Sequence, residues 1–330
     1  MAGLRRTLRT VLKNYNSPCF HVKRLLNYTG QCYDGDSDPG PIFINPDVQG
    51  ILQSLTRVDY DRVFRKRKLG TKKPSDPEYK FMTDAELQEA LRAAKERAAE
   101  LLQIPPVVKV RNTEAKVVCK DPELQGLESS RMVFTDITFG VQDEQRIVVV
   151  REPDGTLREA EWAVRQRVNQ TYFPDKAKQM QVPRMFLDSY LERLLDKNEY
   201  EYVLDRACVQ FEPDDPDYQR LISIVYQHLN DHNKFELLRS TRHFGSLTFY
   251  LVWNRNIDNL LLELIQTMRI EEADQLLALY SLIHQKRFEG EDPLDRVQSY
   301  IEQAAGKKGS LELAVQAYKD VAARRAVEAL

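Results

Sequence analysis

From Pro183 onward the chain reads as one helix after another, and this constrains its fold more than any other feature. Phe186, Leu187, Tyr190, Leu191, Leu194 and Leu195 form one apolar stripe at helical spacing. Tyr200, Val203, Leu204, Ala207 and Phe211 form a second, and Tyr218, Leu221, Ile222, Val225 and Leu229 a third. The connectors are short, which makes successive helices antiparallel neighbours. Asp196-Lys197-Asn198-Glu199-Tyr200-Glu201 parallels Asp231-His232-Asn233-Lys234-Phe235-Glu236 at an offset of 35 residues, and Asn254-Arg255-Asn256-Ile257-Asp258 reads as a degenerate third copy. The offset approximates a two-helix repeat, whose hairpins cover their apolar faces only by stacking into a solenoid-like domain with a surface suited to proteins. Chance similarity between short helix starts is the alternative.

The preceding stretch has a different grammar. Thr83 opens a helix with Glu86 three positions on, a capping box. The helix continues through Leu87, Leu91, Ala94, Ala98 and Leu101 and ends before Pro105-Pro106. From Val107 to Ala160 the period becomes that of strands: Met132 to Phe139 alternates, Ile147 to Val150 is β-branched, and Pro153-Asp154-Gly155 supplies a turn before Thr156-Leu157-Arg158. Trp162, Val168 and Tyr172 then sit on a helix that Pro174 closes, with Trp162 as a core anchor. The expected fold is mainly α, with a small antiparallel β element in the N-terminal half followed by an all-helical, solenoid-like C-terminal domain. The expected boundaries are 1–30 a presequence, 31–80 a linker and basic extension, 81–183 an α+β domain, 184–290 the helical domain and 291–330 a helical tail.

The first thirty residues carry Arg5, Arg6, Arg9, Lys13, Lys23 and Arg24, and no acid occurs before Asp34. Leu4, Leu8, Val11, Leu12 and Tyr15 fall on one helical face away from the arginines, the composition and pattern of a mitochondrial transit peptide. A basic arm for RNA would look similar, and a secretory signal would need a longer apolar run than Val11-Leu12. The Gly-, Pro- and Asp-rich segment from Asp34 to Pro46 is an extended or turn-forming linker. Asp34, Asp36 and Asp38 mimic the start of a calcium loop, but Pro39 stands where the turn needs glycine and Asn45 where a bidentate Glu is needed. Val48, Ile51, Leu52 and Leu55 mark a short amphipathic helix.

After it comes a dense basic run, Arg62, Arg65, Lys66, Arg67, Lys68, Lys72 and Lys73, with no acid among them. Clustered cations neutralise phosphates and release counterions, so these residues are the candidate RNA contacts. The charge of the whole chain is polarised in the same sense: residues 1–80 carry 15 Lys/Arg against 8 Asp/Glu, and residues 186–300 carry 12 against 21. Such polarity suits a chain that meets a polyanion at one end and proteins at the other, although ordinary solvated faces would also produce it.

No motif points to catalysis. Gly306-Lys307-Lys308-Gly309-Ser310 lacks the spacing of a phosphate loop, and neither GxGxxG nor GxSxG occurs. His228 and His232 stand four apart, but Leu229 occupies the place of the Glu in HExxH. Glu212, Asp214, Asp215 and Asp217 lie in a proline-broken loop and form no rigid acid/base pair. Cys19, Cys32, Cys119 and Cys208 form no CxxC pair, so reduced thiols are expected. The longest apolar run, Leu247 to Trp253, is far shorter than the roughly 18 residues of a membrane span. The chain is therefore read as a non-enzyme with no cofactor, metal, small-molecule substrate or membrane partner.

Several strings resemble the mitochondrial ribosomal protein S twenty-two family of the small ribosomal subunit. They are Val48-Gln49-Gly50-Ile51-Leu52, Val133-Phe134-Thr135-Asp136-Ile137, Val149-Val150-Arg151-Glu152-Pro153-Asp154-Gly155-Thr156-Leu157-Arg158, Tyr172-Phe173-Pro174, Phe211-Glu212-Pro213-Asp214 and Leu237-Leu238-Arg239-Ser240-Thr241-Arg242-His243-Phe244-Gly245. In order and spacing they cover roughly residues 45–285. The resemblance implies a matrix protein of the small-subunit body, without catalysis, in contact with mitochondrial small-subunit ribosomal RNA and with neighbouring mitochondrial ribosomal proteins. The basic run from Arg62 to Lys73 is not part of the shared pattern, and residues past about Gly290 match poorly. Arg239, Arg242 and His243 are the candidate partner contacts, with the arginines pairing to phosphate or carboxylate, Phe244 anchored in the core and Gly245 allowing close backbone approach. A matrix helical-repeat adaptor not stably bound to the ribosome is the competing reading. If the basic N-terminal helix is an address and not core, deleting residues 1–30 leaves a foldable protein in the cytosol. Imaging that finds the truncated protein in the matrix overturns this.

Overall fold

The structure is a computed structural model that describes residues 33, 38–65, 79–112, 114–121, 123, 130–143, 145–175 and 177–328. The segment 1–30 and the residues Lys66, Arg67, Lys68, Lys72 and Lys73 lie outside them.

The chain begins with helices α1 (Gly40–Ile44), α2 (Pro46–Thr56) and α3 (Tyr60–Val63). The one-turn α1 falls inside the segment expected to be extended or turn-forming. Its Pro41 sits in the first turn, where the missing N–H costs nothing, and its Phe43 is buried against Phe249. Asn45 ends α1 and caps α2 through its side chain, which accepts from the Asp47 amide at 2.9 Å. Helix α4 (Asp84–Leu101) starts with the capping box foreseen, the Thr83 and Glu86 side chains each accepting from the other's amide.

Four strands follow, β1 (Val117–Lys120), β2 (Met132–Thr135), β3 (Val148–Arg151) and β4 (Thr156–Glu159), in one antiparallel sheet of order β1-β4-β3-β2. Val149 pairs with Glu159 and Arg151 with Leu157, while Met132 lies opposite Arg151. The β3–β4 turn needs Gly155 at a φ of +83°, and Asp154 closes it by accepting from the Thr156 amide and hydroxyl. Helix α5 (Trp162–Tyr172) comes next. Arg146 is the hinge of this layer: its guanidinium lies 3.5 Å from the centre of the Phe173 ring and donates to the carbonyls of Asp136, Thr138 and Val141. It thereby ties the loop after β2 to the end of α5.

The rest is helical: α6 (Asp188–Asp196), α7 (Tyr200–Gln210), α8 (Pro216–Asp231), α9 (His243–Trp253), α10 (Asp258–Gln266), α11 (Ile270–His284), α12 (Pro293–Gln303) and α13 (Lys308–Glu328). Consecutive pairs α6/α7 and α7/α8 pack together, as do α10/α11, α11/α12 and α12/α13. The strings that parallel one another are chain reversals. Asn198, Asn233 and Arg255 all adopt the left-handed conformation, and so does Met268. In each case the next amide reaches back five residues, Glu199 to Leu194, Lys234 to Leu229, Asn256 to Leu251 and Arg269 to Leu264. This is the hydrogen bonding that satisfies the last carbonyls of a helix and turns the chain back on itself.

Helix α9 is the axis of the body. Ten of its eleven residues, His243 to Val252, are buried. A helix apolar all round belongs in the middle of a core. Gly245 lies on it where an added Cβ would meet Ile104 Cδ1 at 2.5 Å, the close approach read from the sequence. The core also reaches beyond residues 184–290. α2 packs on α9 and α11 through Val48, Leu52 and Leu55, and α12 and α13 add Val297, Tyr300, Ile301 and Leu311. An amphipathic helix must cover its apolar face, and for α2 the cover lies some two hundred residues away in sequence. Among the described residues no helix is long and apolar enough to cross a membrane.

Leu52 has no exposed surface. Leu52→Ala should lower the unfolding free energy by about 2–5 kcal/mol, the cost of lost burial plus a cavity. The exposed neighbour change Gln53→Ala should stay within about 0.5 kcal/mol in the same denaturant titration.

Candidate binding surfaces

The root of the basic run is anchored to the helical body. Arg62 donates to the carbonyl oxygens of Glu236 and Leu237 at 2.9 and 3.1 Å, and Arg65 pairs with Glu201 at 3.0 Å. Both side chains keep a solvent-exposed share, and the stacked rings of Tyr60 and Phe64 lie on the intervening turn. Arg62 therefore touches the start of the second candidate segment, a juxtaposition that no local pattern signals.

In that segment Arg239 is inside the protein, 1% exposed. It donates to the Leu55 carbonyl at 3.1 Å and to Glu263 at 2.9 Å, and its guanidinium lies 4.1 Å from the Phe244 ring centre. Glu272 approaches it at 3.9 Å and is gripped by Arg57 and Arg269 as well. Burial pushes the Arg239 guanidinium down and Glu263 opposes it. Burial alone would raise the Glu272 carboxyl, but Arg57 and its neighbours together hold it below its ordinary value. Arg242 and His243 share Asp205, at 2.9 Å each. Arg242 keeps about a third of its side chain in solvent, whereas His243 is buried. Phe244 has no exposed surface.

Two other features rank lower as sites. His228 and His232 stack 4.1 Å apart, with His228 Nδ1 held by the Tyr200 hydroxyl and His232 Nδ1 by the His228 carbonyl. Among the described residues no group of three or more His, Cys, Asp or Glu is arranged to hold a metal. Trp162 is half-buried beneath the Arg111 guanidinium, 3.5 Å from its ring centre.

The apolar stripe of α4 stands partly in solvent. Ala98 is buried, but Leu87 and Leu91 are 49% and 60% exposed, and Tyr79 and Phe81 just before the helix are fully outside. On the sheet side Phe134, Ile137, Phe139 and Ile147 are exposed too. An uncovered set of this kind marks surfaces that meet other molecules.

The family model described as Mitochondrial 28S ribosomal protein S22 matches residues 41–285. Relatives include the small ribosomal subunit protein mS22 of Mus musculus, 36% identical over 288 residues, which is 85% of this chain and 79% of the relative. The small ribosomal subunit protein mS22 of Bos taurus is 35% identical over 287 residues, with the same coverage. The chain belongs to the mitochondrial 28S ribosomal protein S22 family. This is a family of ribosomal structural proteins and not of enzymes.

The matched span of the S22 family takes in α1, the sheet and the helical body as far as Gln285, so both candidate segments lie within it. Sequence reasoning missed the partners of Arg239 and Arg62 and the shared acceptor Asp205, because each lies far along the chain.

Burial in this fold also disfavours the charged form of three histidines. Burial pushes His243 below its ordinary value of 6.5, outweighing Asp205, with Arg242 reinforcing burial and Glu201 opposing it. Burial likewise lowers His228, with His232 and Lys234 acting in the same sense, and it lowers His284. The unfolded chain takes up protons at these positions before the folded chain does. Their contribution is fully present above pH 6.5 and is lost as the pH falls below it. Thermal unfolding should therefore be flat in the upper range and decline from pH 6.5 downward, by up to about 1.4 kcal/mol per pH unit for each such histidine. His243→Asn should shallow that decline, and an unchanged slope counts against the assignment.

Proposed function

We propose that the chain is a structural component of the mitochondrial small ribosomal subunit, works in the matrix, and supports mitochondrial translation by binding ribosomal RNA and neighbouring ribosomal proteins. The observation that carries this reading is the family match over residues 41–285, which spans both the sheet layer and the helical body. The exposed apolar residues of α4 and the sheet support a role inside an assembly, where protein neighbours cover them. In this reading residues 1–30 are the import signal and are absent from the working protein.

The basic run supplies the RNA contact. Arg62 and Arg65 fix its start on the helical body, and Lys66, Arg67, Lys68, Lys72 and Lys73 carry the charge onward to phosphates. In the Leu237–Gly245 segment Arg242 offers the partner contact, and Arg239 and His243 hold the segment from beneath.

On a density gradient at moderate salt the protein should travel with small ribosomal particles. Migration at the top of the gradient would instead favour a matrix adaptor. RNA affinity measured against salt should lose roughly one unit of logarithmic slope for each phosphate contact removed when Lys66, Arg67, Lys68 and Lys72 are changed to Gln. Melting temperature should hardly move, since exposed charges contribute little to stability. Equal slopes for the two proteins would remove the run from the RNA interface.

A further inference from the structure

An open groove of about 1300 Å³ runs between the sheet layer and the helical body. Its apolar lining includes Ile44, Val108, Trp162, Ala163 and Val182. Its ionisable lining is eight carboxylates against the three cations Lys109, Arg111 and Arg165. Arg111 is already engaged, stacked on Trp162 and paired with Asp214 at 2.7 Å and Asp215 at 3.5 Å. Arg165 is spent on the Asp143 carbonyl. Glu114, Glu159 and Glu161 form no ion pair among the described residues. The Trp162 indole nitrogen is buried and has no acceptor.

We infer that this groove receives an extended segment of a neighbouring protein in which Lys or Arg alternates with apolar side chains. The inference rests on the ribosomal reading above and names the chemistry of one partner within it. An excess of carboxylates repels phosphates, so RNA is the wrong occupant here. Cationic side chains along the rim would neutralise Glu114, Glu159 and Glu161, and the alternating apolar side chains would dehydrate the lining around Val108 and Ala163. Burial raises the carboxyls of Glu212 and Asp215 despite their cationic neighbours, which agrees with a net need for positive charge at this place. Residues 1–32 of this chain have the same chemistry and are the competing occupant, but in the ribosomal reading the imported protein has lost nearly all of them.

The test has two arms. In the first, the full chain is titrated with a fluorescent peptide of alternating Lys and Val, with its Glu–Val counterpart as control, and anisotropy is read at several salt concentrations. The triple variant Glu114→Gln, Glu159→Gln, Glu161→Gln should bind about tenfold more weakly with a shallower salt dependence, at an unchanged melting temperature. Binding unaltered in the triple variant, or displaced by a short RNA, overturns the inference. In the second arm, a photoreactive residue in place of Ala163 is activated in assembled particles. A crosslink to a Lys/Arg-rich stretch of another ribosomal protein supports the inference, and one to residues 1–32 or to RNA refutes it. If the chain never enters particles, the ribosomal reading fails, and the peptide titration still decides what the groove binds.

Discussion

Arg239 holds a full positive charge where water hardly reaches it, and the helical body is organised around meeting that need. A buried guanidinium is tolerated only when carboxylates and carbonyls surround it. Here they include the Leu55 carbonyl at the end of α2, Glu263 on α10, Glu236 at 3.8 Å, and Glu272 on α11, which Arg57 and Arg269 also hold. The Phe244 ring closes one face. None of these groups can leave without stranding another, so the docking of α2 and the packing of α10 and α11 are one event. The same knot sets the position of the Leu237–Gly245 segment and, through the Glu236 and Leu237 carbonyls, the place where Arg62 starts the basic run.

A second, smaller knot joins the sheet layer to this body. Arg111 lies between Trp162 and the Asp214–Asp215 turn, its amide donates to the Asp214 carbonyl, and Gln219 donates to the Val108 carbonyl. With Ile104 and Val107 in the helical core, residues 104–111 act as a strap laid across α8 and α9. The two charged junctions differ in outcome. At the first the central guanidinium of Arg239 is closed off from solvent, whereas around Arg111 the carboxylates outnumber the cations and border an open groove.

Much of the architecture was legible because it is local. The capping box at Thr83, the turn at Gly155 and the end of α5 before Pro174 each depend on residues within a few positions of one another. The parallel between the Asn198 and Asn233 strings was visible for a similar reason, since both spell a left-handed helix end. The one-turn α1 escaped notice because five residues carry no periodicity. The stripe of α4 was read correctly as apolar, but a stripe does not say what covers it, and among the described residues nothing covers most of Leu87 to Leu91. The candidate cations were picked out by their charge. Their acceptors lie between 24 and 184 residues away for Arg239 and more than 130 for Arg62 and Arg65, distances at which composition is silent.

The exposed apolar side chains of the sheet layer set a condition on how the protein lives. Phe139 is 97% exposed, Phe134 lies on the edge strand β2, and among the described residues that strand has an unpaired side. Edge strands with apolar neighbours pair readily with other chains. A copy without a covering neighbour thus leaves these rings and the rim of β2 to water, which makes this face the place where the protein alone is most prone to associate with other chains.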